Sequence, residues 1–166
     1  MKWLRDKWLL APHVVALTVF FACQGAVLAL PALKMSFFCW PAARAAGLFL
    51  GAPVAEGYGN GPLLIYGRLD VQVTEACSGF DFFSLLLAVF CGMAVHHRTR
   101  SPWLWVAFLP LAGVVTLLAN VARIVCSVHL RVFSHSHPIG LSDSIVHFAV
   151  GTAVFATLLV ACCYAM

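Results

Sequence analysis

Charge is what this 166-residue chain has least of. Charged residues make up 10% of it, hydrophobic residues make up 63%, and its mean hydropathy is +0.96. Soluble domains carry roughly a quarter charged residues, so a soluble globular domain is excluded. The ten Lys/Arg exceed the six Asp/Glu by four. That excess is too small and too scattered for the basic patch of a nucleic-acid binder, and no nucleic-acid partner is expected. The seven Cys include no CxxC and no CxxxC. A membrane thiol oxidoreductase needs a closely spaced pair, because the resolving thiol must reach the mixed disulfide. The adjacent Cys162 and Cys163 are a poor shuttle. There is no internal repeat and no low-complexity tract. The length holds about four spans of ~20 residues each, which excludes a large inverted-repeat transporter and any separate soluble domain. No cofactor is implied.

What is present is apolar length. Trp8–Leu30, Phe80–Val95, Trp103–Leu130 and Ile145–Ala165 are each long and apolar enough to span. The first follows Lys2, Arg5 and Lys7, the charge order of a signal peptide. Its 23 residues exceed the 7–15 of a signal h-region, and Leu28-Ala29-Leu30 is no small-x-small cleavage site. The expectation is an uncleaved signal-anchor helix over 8–30. Met35–Leu50 is apolar but short, interrupted by Pro41 and carrying Arg44, which suits a re-entrant or interfacial helix. Gly51–Pro62 reads as loop. Over 63–74, Leu69, Val71 and Val73 alternate with Asp70, Gln72 and Thr74 after Gly67-Arg68, the pattern of a β-hairpin. A hairpin must lie outside the hydrocarbon.

The fold class expected is therefore an all-α polytopic membrane protein. It comprises about four transmembrane helices, a short re-entrant or interfacial helix and a small extracytoplasmic β-hairpin, in one membrane domain over 1–166. Lys/Arg bias orients it. The N-terminal arm and the 96–101 turn hold five basic residues, Lys2, Arg5, Lys7, Arg98 and Arg100. In 31–76 three basic residues are offset by Glu56, Asp70 and Glu75. The arm and the turn are placed in the cytoplasm and the hairpin outside.

Polar groups inside a membrane are expensive and are functional candidates by default. Three of them reach the outer side together. Cys77 opens the second span (77–95), in Glu75-Ala76-Cys77-Ser78-Gly79. There a helix N-terminus favours a thiolate. Arg123 lies before the outer end of the third span (103–130), and His147 just inside the fourth (145–165). At 1.5 Å per residue both sit roughly 8–10 Å below the outer surface. A guanidinium cannot shed its charge, so Arg123 demands an anionic partner, a water cavity or snorkelling. Asn120, one turn earlier, is a candidate to orient it. Asp81, one turn after Cys77, is a candidate salt partner for it. Gly151, one turn after His147, permits close packing of a neighbouring helix. Ser134-His135-Ser136-His137 has no acidic or Cys partner to complete a metal site, so no metal is expected.

The set Glu75-Ala76-Cys77-Ser78-Gly79, Asn120-x-x-Arg123 and His147-x-x-x-Gly151 resembles the exosortase/archaeosortase family of membrane transpeptidases over about residues 45–165. The likeness is greatest to its short members. It implies a cysteine peptidase that cuts C-terminal sorting tails from exported proteins and transfers the new carboxyl end to an acceptor nucleophile. By the resemblance Cys77 is nucleophile, Arg123 stabilises oxyanion or thiolate, and His147 is acid/base, with Ser78, Gly79, Asn120 and Asp81 supporting. It further implies a multi-pass protein of the bacterial cytoplasmic membrane with its site near the extracytoplasmic face. Its partners would be the bilayer and exported substrates whose tail carries a motif, a transmembrane helix and a basic end. The chain departs from the family in its Asp81-Phe82-Phe83, where a basic or small polar residue is commoner, and in having fewer N-terminal spans than the longer members. Two other readings compete. One is a non-enzymatic membrane subunit or assembly factor in which Arg123 pairs with Asp81. The other is a serine hydrolase using Ser78, which lacks the flanking glycines of a nucleophile elbow.

Overall fold

The computed structural model describes residues 31–96, 102–136 and 143–165, with positions 14, 18, 21, 22, 24 and 25. Those six positions are helical; the rest of the 8–30 signal-anchor segment lies outside the described residues. The protein is mostly helical. Helix α1 (Pro31–Lys34) runs through a π segment (Met35–Cys39) into α2 (Trp40–Leu50). A small sheet follows, then α3 (Phe80–His96), α4 (Pro102–Ser136) and α5 (Asp143–Ala165).

The interruption expected at Pro41 is absent. Pro41 is the second residue of α2 and directly follows the π segment, where the Trp40 N–H reaches the Met35 carbonyl five residues back; this wider turn accommodates a residue that has no N–H to donate. The extra residue of a π turn lies just before it and keeps the chain helical from Pro31 to Leu50. Gly51, at φ 62°, ends α2 in the left-handed conformation, and the Ala52 N–H returns to the Gly47 carbonyl. The small residues Ala42, Ala43, Ala46 and Gly47 form the buried face of α2.

The hairpin is present, as β2 (Pro62–Tyr66) and β3 (Leu69–Gln72) paired Tyr66 to Leu69 and Leu64 to Val71. Gly67 takes φ 63° in the two-residue turn. The preceding stretch, expected to be loop, supplies a third strand, β1 (Val54–Glu56), antiparallel to β2, and a 3-10 turn at Tyr58–Asn60. Gly47 explains how β1 is held. A Cβ there would lie 2.7 Å from Val54 Cγ2 and 2.8 Å from the Ala52 carbonyl oxygen, so only glycine lets the strand approach α2. Leu64, fully buried, drives the sheet into a core of Ala42, Ala43 and Ala46 from α2 and Val121, Ile124 and Val128 from α4.

A second core joins α3 to α4 and α5. Phe82, Phe83, Leu86 and Phe90 of α3 pack against Ala112 and Ala119 of α4 and Val154 and Phe155 of α5. Phe82 and Phe155 stack with centroids 4.5 Å apart. Ala107–Ser134 and His147–Tyr164 are long and apolar enough to cross a membrane, and Phe80–Met93 is a shorter apolar helix. Only 11% of His147–Tyr164 is buried against the rest of the protein. An apolar helix with so few fully buried residues, and with Phe148 and Val160 exposed, is at home in lipid rather than in water. Helix α4 is longer than the 103–130 span and continues to Ser136, so its last turn includes His135.

Candidate active site

The site forms where the two cores meet, and it begins with a turn. The Cys77 N–H donates to the Thr74 carbonyl at 2.8 Å and the Ser78 N–H to the Glu75 carbonyl at 3.0 Å, closing a 3-10 turn over Glu75–Cys77. Gly79 then adopts φ 72°, and α3 starts at Phe80. Cys77 is thus not the first residue of the span, as expected over 77–95. A left-handed glycine separates it from the helix, because its thiol must turn toward α5 while the chain enters the bundle. The Ser78 hydroxyl is buried and accepts from the Phe80 N–H at 3.3 Å. Ser78 caps the helix and does not face a cavity next to an imidazole, which removes the ground for a serine nucleophile.

Three side chains from two other helices converge on this turn. His147 Nε2 of α5 lies 3.5 Å from Cys77 Sγ, across 70 residues of sequence. Arg123 of α4 donates from Nη2 to the Cys77 carbonyl at 2.5 Å. Asn120 donates from Nδ2 to the carbonyls of Cys77 at 2.8 Å and Ser78 at 2.9 Å. Such charge-assisted and buried bonds are each worth about 1–3 kcal/mol, so the turn is pinned from one side. Asn120 and Arg123 are 1% and 6% exposed, depths at which a polar side chain is kept only with partners.

Asn120 accordingly orients the cysteine turn and not Arg123. The arginine is placed by packing: its stem lies against Gly151 of α5 and its guanidinium over the Phe155 ring, 5.4 Å from the centroid. Asp81 is exposed and shares a cavity wall with Arg123, but no ion pair joins them; Nη2 is on the Cys77 carbonyl and Nε has no hydrogen-bond partner. The expected Asp81–Arg123 pair is not formed: Asp81 is left exposed, while the Arg123 Nη2 is taken up by the Cys77 carbonyl. The neighbouring Phe82 and Phe83 face inward as core.

The thiol borders a cavity of about 160 Å³ lined by Val71, Gln72, Cys77, Ser127, Arg131 and His147, among others. Sequence reasoning missed three residues around it. Thr74 Oγ1 donates toward Cys77 Sγ at 3.7 Å. Cys39 closes the π segment with its own thiol buried and directed at the Thr74 carbonyl, 3.5 Å away. Ser127 lies one turn beyond Arg123. A Thr three residues before the cysteine was a visible turn signal; nothing local marks Cys39 or Ser127. Of the two thiols near the turn, Cys39 is fully buried and Cys77 is half-buried on the cavity.

A half-buried thiol on a turn, with an imidazole and a guanidinium brought to it by two separate helices of an apolar bundle, defines a membrane protein with a thiol-centred site. The chain belongs to the transmembrane exosortase family, whose model matches residues 7–164. No curated protein and no solved structure matches it.

Proposed function

We propose that this exosortase-family membrane protein is a cysteine transpeptidase that removes C-terminal sorting tails from exported proteins at the outer face of the bacterial cytoplasmic membrane. The observation that carries this reading is the 3.5 Å approach of Cys77 Sγ to His147 Nε2, within or near the reach needed for proton exchange. The imidazole takes the thiol proton and the thiolate attacks the scissile carbonyl carbon. The resulting oxyanion is stabilised by the positive charge of Arg123 beside the turn. His147 gives its proton to the departing amine, the C–N bond breaks, and a thioester to Cys77 remains. An acceptor nucleophile then attacks that thioester, its proton passing to His147 and on to the restored thiolate. Asn120, Ser78 and Gly79 hold the turn throughout. A substrate anchored by its own C-terminal helix would diffuse in two dimensions to such a site.

The alternative, a non-enzymatic subunit built on a structural Arg123–Asp81 pair, is less well supported because that pair is not formed. The test is mass spectrometry of exported proteins from cells carrying wild-type or Cys77→Ala protein. Tails cleaved in the wild type should remain intact in the variant while the variant still accumulates in the membrane. Full processing by Cys77→Ala overturns the cysteine mechanism.

A further inference from the structure

Ser127 does not behave as a helical hydroxyl usually does. Inside a helix, Ser and Thr commonly bond back to the carbonyl one turn earlier. Ser84 does so to Phe80 at 2.9 Å and Thr157 to Ala153 at 2.8 Å. Ser127 is 6% exposed and its Oγ has no hydrogen-bond partner. It lines the same cavity as the Cys77 thiol, His147 and Gln72. A buried hydroxyl without a partner is costly, and its position on this cavity gives an arriving polar group something to meet.

Strand β3 supplies an independent observation. It ends the sheet, whose order is β1-β2-β3, so among the described residues one of its edges has no neighbouring strand. The Val73 N–H donates to the Pro62 carbonyl at 2.9 Å, which sets the phase of the ladder. In an antiparallel pair alternate residues exchange bonds with the partner strand. Val71 and Val73 therefore turn their main-chain groups to β2, while Asp70 and Gln72 turn theirs to the outer edge. Gln72 is also a wall of the cavity, so the unpaired edge opens beside the thiol.

We propose that the substrate binds as an extended peptide added to the outer edge of β3, its main chain paired with Gln72. Ser127 hydrogen-bonds the substrate residue that enters the cavity next to Cys77. This rests on the reading of Cys77 as the nucleophile. Strand addition is a general way to hold an extended peptide, main-chain bonds giving affinity and pockets giving selectivity. It makes a chemical demand: the substrate residue opposite Gln72 must own an N–H, so an N-alkylated residue is excluded there.

The probe is acetyl-trialanyl chloromethyl ketone, with three congeners each N-methylated at one amide, applied to the full-length protein in detergent micelles. Alkylation of the Cys77 peptide is followed by mass spectrometry, with iodoacetamide as a reagent too small to need the strand edge. One congener should react about tenfold more slowly than the parent and the others nearly as fast, since one hydrogen bond is worth up to about a tenfold change. In Ser127→Ala, the ratio of the trialanyl rate to the iodoacetamide rate should fall about five- to tenfold. Equal rates for all congeners, or an unchanged ratio in Ser127→Ala, overturns the strand-edge site and leaves the role of Cys77 standing. Trialanyl reagents that modify the exposed Cys126 and Cys163 as readily as Cys77 overturn the reading beneath it, and the site with it.

Discussion

Gly151 of α5 lies so close to the stem of Arg123 that a Cβ at that position would be 3.2 Å from Arg123 Cδ. Among the described residues the arginine has no ion pair to hold it, so its guanidinium is aimed by this contact, by the Phe155 ring and by the Cys77 carbonyl. A glycine on one helix thereby sets the position of a charge on another.

Substituting Gly151 should therefore impair the site without touching it. In Gly151→Val the stem must move, and misplacement of about 1 Å at a reacting centre costs roughly a hundredfold. Tail processing should fall on that order while membrane accumulation stays normal. Wild-type processing by Gly151→Val would show that the guanidinium position tolerates the shift.

Arg123→Lys should not be a conservative change. A lysine keeps the charge but lacks the planar fork, and its compact ammonium cannot grip the Cys77 carbonyl and lie over Phe155 as the guanidinium does. Loss of one aimed donor typically costs about 10²–10³ in turnover. Processing rates in cells, normalised to protein level, check this; an undiminished rate would mean that charge alone suffices.

Gly79 and Gly51 form a matched pair. Both are left-handed, at φ 72° and 62°, but a Cβ at Gly79 meets Thr116 Cγ2 at 3.3 Å and Asn120 Cγ at 3.4 Å, whereas at Gly51 nothing lies within 4 Å. Each Ala variant should lose about 1–2 kcal/mol from the backbone conformation. Gly79→Ala should lose more, because the added methyl also presses on the side chain that pins the cysteine turn. Thermal unfolding in detergent should rank wild type above Gly51→Ala above Gly79→Ala, and only the last should lose processing. Equal midpoints for the two variants would deny the crowding.

Asn120→Asp tests the anchor from the other side. It replaces the amide donor facing two carbonyls with an oxygen, so acceptor would face acceptor at 1% exposure. The cost should be about 2–4 kcal/mol, read as a lowered unfolding midpoint together with slower iodoacetamide reaction at Cys77. An unchanged midpoint would mean that the carbonyls find other donors.

Orientation is open to chemical labelling. With single cysteines at Gly59, Thr99 and Ser136 in a background lacking other thiols, an impermeant maleimide applied to intact cells should label 59 and 136. Position 99 should label only after permeabilisation. Labelling of 99 from outside would place the thiol site on the cytoplasmic face, where an exported tail does not reach.

The sequence by itself determined what depends on composition and short-range pattern. Low charge and long apolar runs dictate a membrane protein, because each unpaired polar group in lipid is expensive. Period-two alternation around Gly67-Arg68 dictates the hairpin, because side-chain direction along a strand has that period. The three polar motifs were also visible as rare polar residues in apolar surroundings, and in their order they carry the family likeness. Tertiary structure alone decided how these parts meet. Strand β1 exists because Gly47, on a helix, leaves room for Val54. Asn120 bonds the cysteine turn and Asp81 stays exposed because helix rotation about its axis, set by Phe82 stacking on Phe155 and Phe83 packing against Phe38, chooses which face of α3 looks at its neighbours. Helix rotation and close approach arise from contacts between residues far apart in the chain, and no local signal encodes a partner 70 residues away.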